Sequence, residues 1–351
     1  MLIREMRSED LPDLIRIWND CVRAGEVLYR PLDEAYFRRK FTEGPGCEAA
    51  NLLIAEVDGA PAGFLHGVAP GSFPLSKPGC AYLTVMMTDR GHRRKGLGRA
   101  LLSAFRERME KRGAETLYIS SLNPVNLDWR IPGTPGHDHN NMPGADIGCA
   151  GYPALEAMGF SVRYQEVAMY MALSGWILPP GIASMQERLR REGIETGPYH
   201  PDRHCGFDRL CDHVGSEYWR DVLRTEIDAW EHGKPNEDPR MWADGIPPRG
   251  PRTLLTATCQ GEIVGFTGPV DLQKSGRGWF TGICTDPVFE RKGIATVLFH
   301  LLMDAFVREG TAFSTLFTGL NSHARKVYER AGMCPVRQFN LMTMPIHTAN
   351  S

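Results

Sequence analysis

Two glycine turns rich in arginine and lysine carry the most chemistry in this chain. The first reads Thr88-Asp89-Arg90-Gly91-His92-Arg93-Arg94-Lys95-Gly96-Leu97-Gly98. The second reads Thr285-Asp286-Pro287-Val288-Phe289-Glu290-Arg291-Lys292-Gly293-Ile294-Ala295. Both keep Thr-Asp, then Arg-Lys-Gly, then Leu or Ile, then Gly or Ala. Glycines let backbone come close to a ligand with no Cβ in the way. The first amides of a following helix have no partner inside it and carry the positive end of its dipole. Successive amides of this kind, with basic side chains beside them, make a cradle for a phosphate or pyrophosphate. The competing reading is a solvated surface turn. The recurrence of the pattern in one setting favours the anion.

That setting is supplied by the elements on either side. An apolar, strand-like run precedes each turn, Cys80 to Met87 and Trp279 to Cys284. A helical pattern follows each, through Leu101, Leu102, Phe105 and Met109, and through Leu298, Leu301, Leu302 and Phe306. Further repeats keep the same order. Gly59-x-x-x-Gly63-Phe64 matches Gly261-x-x-x-Gly265-Phe266, and Met158-Gly159-Phe160 matches Ala331-Gly332-Met333. Fixed-order self-similarity means a duplicated unit. Asp58-Gly59 and Gln260-Gly261 each read as the turn of a hairpin.

The nucleotide P-loop needs Ser or Thr after Gly-Lys, and neither copy has it. The dinucleotide fingerprint needs another glycine spacing and a later acid. Instead, the turns resemble the acyl-CoA loop of the GNAT N-acetyltransferase superfamily: Gln or Arg, two residues, Gly, one residue, Gly or Ala. Arg93 to Gly98 fits fully; Glu290 to Ala295 departs at its first position. Asn321-x-x-Ala324-x-x-x-Tyr328-Glu329-x-x-Gly332 resembles the family's closing helix. The tandem arrangement resembles that of mycothiol synthase, without its substrate being implied.

The resemblance implies two α/β (α+β) units. Each would be a mixed, mostly antiparallel sheet, flanked by helices and splayed between its fourth and fifth strands. The expected division is an N-terminal unit over 1–175, a linker over 176–201 and a C-terminal unit over 202–351. The implied reaction is direct transfer of an acetyl group from acetyl-CoA to an amine. Cofactor contacts are expected from Met86, Met87, Thr88, Arg93, Arg94, Lys95, Gly96, Leu97 and Gly98 in one half. In the other they are expected from Ile283, Cys284, Thr285, Arg291, Lys292, Gly293, Ile294, Ala295 and Asn321. A fourth-strand amide would hold the carbonyl oxygen. Tyr328 is the expected proton donor to the departing thiolate. Taken alone, Tyr328 reads as a core aromatic and Asn321 as a helix N-cap.

The first half departs where Leu155 holds the position of Tyr328; leucine donates no proton, and Tyr152 lies nearly one turn earlier. The expectation is therefore that the second half does the chemistry and the first binds acyl-CoA weakly or acts as scaffold. The alternatives are a non-catalytic acyl-CoA sensor and a protein N-acetyltransferase. Asp228, Glu231, Glu237, Asp238 and Asp244, with Trp230 and Trp242, suit a cationic amine or are simply a solvated acidic surface.

Composition bounds these readings. At 351 residues the chain is comfortable for two domains. A net charge of −2 gives no electrostatic case for nucleic acid or an anionic membrane. No apolar run approaches the roughly 20 residues of a membrane span. Met1-Leu2-Ile3-Arg4-Glu5 has no signal core. The nine cysteines are scattered, and Cys205 and Cys211 are not spaced as a zinc pair. A cytoplasmic monomer or homodimer with a small-molecule amine as substrate and no metal is the expectation. Between Asn123 and Gly151 lies a long polar stretch with His137 and His139, read as a solvated loop in preference to a metal site. Trp129 there would close over a ligand or pin the loop down.

Overall fold

A computed structural model describes residues 1–43, 48, 51–73, 76–120, 125, 127–130, 142–234, 250–273 and 275–347, the side chains of 218 and 222 excepted. The chain divides into two compact units. Among the described residues, one lies within 1–130, 142–167 and 337–347, and the other within 168–336.

In the first unit, β1 (Leu2–Glu5) leads through a 3₁₀ turn into α1 (Leu11–Arg23) and α2 (Glu34–Phe41). Pro12 in the first turn of α1, and Leu11, Leu14, Ile17, Trp18 and Cys21 buried along one face, explain that helix. Next come β2 (Leu52–Val57), β3 (Ala60–Val68), β4 (Cys80–Thr88), α3 (Leu97–Glu110) and β5 (Thr116–Ile119). Then follow β6 (Ala145–Asp146), α4 (Tyr152–Ala157) and β7 (Ser161–Ala172). Asp58 (φ 52°) and Gly59 (φ 80°) both take positive φ, the turn whose twist suits a tight hairpin. Strands β1 to β4 pair antiparallel in order. One face of the sheet packs on α1 and α2, the other on α3. Phe105 of α3 sits on Gly67, where an added Cβ would lie 2.1 Å from the ring.

In the second unit, α5 (Gly181–Arg191) and β8 (Ile194–Pro198) come first, followed by α6 (Phe207–Val214) and α7 (Glu217–His232). Next are β9 (Leu255–Cys259), β10 (Glu262–Gly268), β11 (Asp271–Leu272), β12 (Arg277–Trp279) and β13 (Gly282–Thr285). Finally come α8 (Ile294–Arg308), β14 (Phe313–Gly319), α9 (His323–Arg330) and β15 (Cys334–Pro345). The 176–201 stretch, expected as a linker, therefore holds a helix and the first strand of a sheet: β8 pairs with β9 over Ile194–Pro198. Gln260 (φ 53°) and Gly261 (φ 83°) repeat the hairpin turn of the first half.

The final strand of each half does not stay with its own half. β15 places Arg337–Pro345 in the first unit, where Met342 to Pro345 pair with β5 and Phe339–Asn340 with β6. β7 places Ala168–Ala172 in the second unit, neighbouring β14. The compact units thus depart from the expected 1–175 and 202–351 division at both closing strands. Among the described residues no helix is long and apolar enough to cross a membrane, and the eight described cysteines are free.

Candidate active site

Strand β4 makes the first unit's opening. Cys80, Ala81 and Tyr82 pair parallel with Thr116, Leu117 and Tyr118 of β5. Among the described residues, β4 from Leu83 onward keeps only its other neighbour, β3. The register slips at this point: Gly67 faces Leu83 and His66 faces Val85, leaving Thr84 as an extra residue. Such a bulge bends and twists its strand. Thr84 donates its hydroxyl hydrogen to the His66 carbonyl (3.0 Å) and meets His66 Nδ1 at 2.7 Å. With that hydrogen used, Nδ1 is the donor in the second contact. His66 is fully buried, and burial drives its imidazole down to about 3, so it stays neutral.

The splay leads into a cavity of about 880 Å³, lined by Leu83 to Thr88 and by the turn residues Arg93, Arg94, Gly96, Leu97 and Gly98. Its wall mixes apolar and polar groups; Tyr29, Ser120, Asp146 and Cys149 are among the polar ones. Arg94 (φ 59°) and Gly96 (φ 84°) take left-handed conformations, and no atom of the described residues lies within 4 Å of where a Gly96 Cβ would be. Arg93 is held by Glu26 through 2.9 and 2.5 Å contacts, which keep the Glu26 carboxyl below its usual range. Lys95 folds back on the Gly91 carbonyl and is not part of the cavity wall. Arg337, carried in on β15, grips Asp146 at 2.7 and 3.0 Å. Burial pushes the Tyr29 hydroxyl and the Cys149 thiol up, so both hold their protons at neutral pH. Leu155 lines this cavity as the closing-helix spacing requires. Tyr152 is not in the wall: its hydroxyl accepts from Asn340 and meets Glu156. Trp129 is fully buried against Phe339 and bridges to Tyr29, which makes it a pin.

The second unit has the same frame with different contents. Its fourth strand is broken: β12 pairs parallel with β14, and β13 pairs with β10. Ile283, Cys284 and Thr285 lie on β13, and burial pushes the Cys284 thiol up. Arg291 (φ 62°) and Gly293 (φ 90°) copy the backbone of the first turn, with Ile294 and Ala295 opening α8. Yet a Cβ on Gly293 would lie 2.9 Å from Met185 Cε and 3.1 Å from Arg188 Nη2, both on α5. Lys292 is paired with Glu192 at 2.7 Å. Tyr328 is buried against Phe299, ring centroids 4.8 Å apart, and burial raises its pKa. Asn321 is exposed in the turn before α9; the cap is Ser322, whose hydroxyl accepts from the Arg325 amide. Asp228 and Glu231 are exposed on α7, while Trp230 donates to the Arg252 carbonyl within a core cluster. Glu237, Asp238, Trp242, Asp244, His137 and His139 lie outside the described residues; among those described, no cluster could hold a metal.

Sequence reasoning missed Glu26, Tyr29, Asp146, Cys149 and Arg337. None stands at a motif spacing; they meet only through the fold.

The sequence model of the acetyltransferase (GNAT) family matches residues 11–128 and 219–333. No curated protein sequence matches. Several solved structures share the fold. One is a GCN5-related glucosamine N-acetyltransferase region of a fungal multi-domain GH3 β-N-acetylglucosaminidase, with TM-score 0.64 and 14% identity, covering 98% of this chain and 38% of that one. Another is a GCN5-related N-acetyltransferase from Sphaerobacter thermophilus, with TM-score 0.58 and 17% identity, covering 99% and 96%. A third is a tandem GNAT protein from the clavulanic acid biosynthesis pathway, with TM-score 0.53 and 16% identity, covering 99% of both chains. The finer likeness to mycothiol synthase finds no support in these matches.

Proposed function

This chain belongs to the GNAT acetyltransferase family, and we propose that it moves an acetyl group from acetyl-CoA to a primary amine of a small molecule, in the cavity of its first unit. One observation carries the choice of unit: the open glycine turn at Gly96 continues directly into the cavity along the unpaired edge of β4. The turn amides and the exposed Arg94 suit a diphosphate. The free edge of Leu83 to Thr88 suits an extended, amide-bearing arm, which would pair with it as a strand does.

In this reading the amine nitrogen attacks the thioester carbon. The C–N bond forms, the C–S bond breaks, the nitrogen gives up a proton and the thiolate gains one. A β4 amide supports the carbonyl oxygen as charge grows there. Leu155 offers no proton, and we assign that role to Tyr29 or Cys149, two wall groups that burial keeps protonated. A cytoplasmic setting and a monomer or homodimer belong to the same proposal.

Release of free thiol from acetyl-CoA, measured over a panel of small amines, tests it. Thiol release with at least one amine is expected. A second reading, a sensor that binds acyl-CoA without turnover, is favoured by Leu155 in the wall. Tight CoA binding with silence over the whole panel would decide for it.

A further inference from the structure

We infer that the second glycine turn is not a CoA site: it serves as a socket for the chain's own helix α5, and one chain takes up one CoA. The inference rests on the proposed binding of acyl-CoA at the first turn.

The two turns have the same backbone. Arg94 and Gly96 at φ 59° and 84° stand beside Arg291 and Gly293 at φ 62° and 90°. The ability to form a cradle is therefore present twice, and what differs is the space in front of it. At Gly96 that space is open. At Gly293 the tip of Met185 and the guanidinium of Arg188 are already as close as a side chain could stand. Arg188 is tied there by a 2.7 Å bond to the Lys292 carbonyl. Lys292, a cation that would meet a diphosphate, is held by Glu192 just past the end of α5. Glu290 stands where the first copy has Arg93, which adds a negative charge where an anion would arrive.

The inner part of the cleft is filled as well. Phe280, between β12 and β13, packs against Phe299 and Phe306 of α8 at 6.3 and 6.2 Å, and Tyr328 lies tilted against Phe299. By sequence register from the two glycines, Leu83, Leu102 and Leu155 hold the places of Phe280, Phe299 and Tyr328 in the first half. Three larger rings thus replace three leucines, two of which, Leu83 and Leu155, line the open cavity.

Calorimetric titration of the full chain with CoA, joined to hydrogen exchange, tests this. One site per chain is expected, with new protection over 93–98 and none over 291–296. Gly96→Val and Gly293→Val impose similar φ strain, and Gly293→Val in addition presses on Met185 and Arg188, so it is the harsher change of the two. Gly96→Val is expected to abolish uptake and Gly293→Val to leave it unchanged. Two sites per chain, or CoA protection over 291–296, overturns the inference. So does loss of a CoA site in Arg188→Ala, which would make that arginine a phosphate ligand. A second arm needs no CoA: in Met185→Ala/Arg188→Ala, exchange of the 294–296 amides is expected to rise in the free protein. Unchanged exchange there overturns the socket. No uptake of CoA anywhere, with faster exchange in that variant, would sink the proposed function and leave the socket standing.

Discussion

The two glycine turns share a backbone and differ in what stands before them. At Gly96 the cradle faces an open cavity, whereas at Gly293 it faces Met185 and Arg188. The fourth strands differ in the same direction. In the first half one bulged strand serves both neighbours; in the second it is broken into β12 and β13. The Thr-Asp corner is kept in both halves but held by different partners, Arg16 on Asp89 and His213 on Asp286, each at 2.7 Å. A duplicated unit can thus keep its local geometry and lose its vacancy, because backbone conformation is a local property and vacancy is not.

The largest expected effect tests the seat of α3, which carries the open turn. Gly67→Val puts a side chain into the Phe105 ring, and the first unit should fail to fold, seen as loss of soluble protein and of CoA uptake. Phe105→Ala, at a fully buried ring, should cost about 3–5 kcal/mol in urea denaturation. Next comes the chemistry. Tyr29→Phe or Cys149→Ala should lower turnover by about 100-fold, within the range for a lost general acid, with CoA affinity kept. If neither changes turnover, the proton comes from solvent.

His66 gives a pH-dependent effect that is nil at neutral pH. Its imidazole is neutral when folded down to about 3 and takes up a proton near 6.5 when unfolded. The stability it contributes is therefore complete above 6.5 and lost as pH falls toward 3, by about 1.4 kcal/mol per pH unit. In His66→Gln that part of the slope should vanish; denaturation curves between pH 4 and 7 would show it. The smallest expected effect is none: Tyr328→Phe should leave turnover unchanged. A marked loss would return the chemistry to the second half, with Tyr328 as the proton donor.

The fold was legible because its signals are local. Apolar spacing marked α3 and α8, and Asp58-Gly59 and Gln260-Gly261 marked the hairpins. The site was half legible. Arg93 to Gly98 could be read as an anion turn, and Leu155 could be placed at the closing helix, because both depend on fixed spacing along one segment. The 176–201 stretch was not legible as the start of a sheet, since Pro179 and Pro180 at its head look like a connection and β8 contains Gly197 and Pro198.

By itself the sequence determined two strand–turn–helix units with identical left-handed turns, because φ preferences and apolar period belong to consecutive residues. Only the tertiary structure decided which turn is open, which closing strand joins which unit, and that Arg337 meets Asp146. Those outcomes depend on side chains and strands far apart in the chain competing for one space. No pattern within a segment encodes the winner.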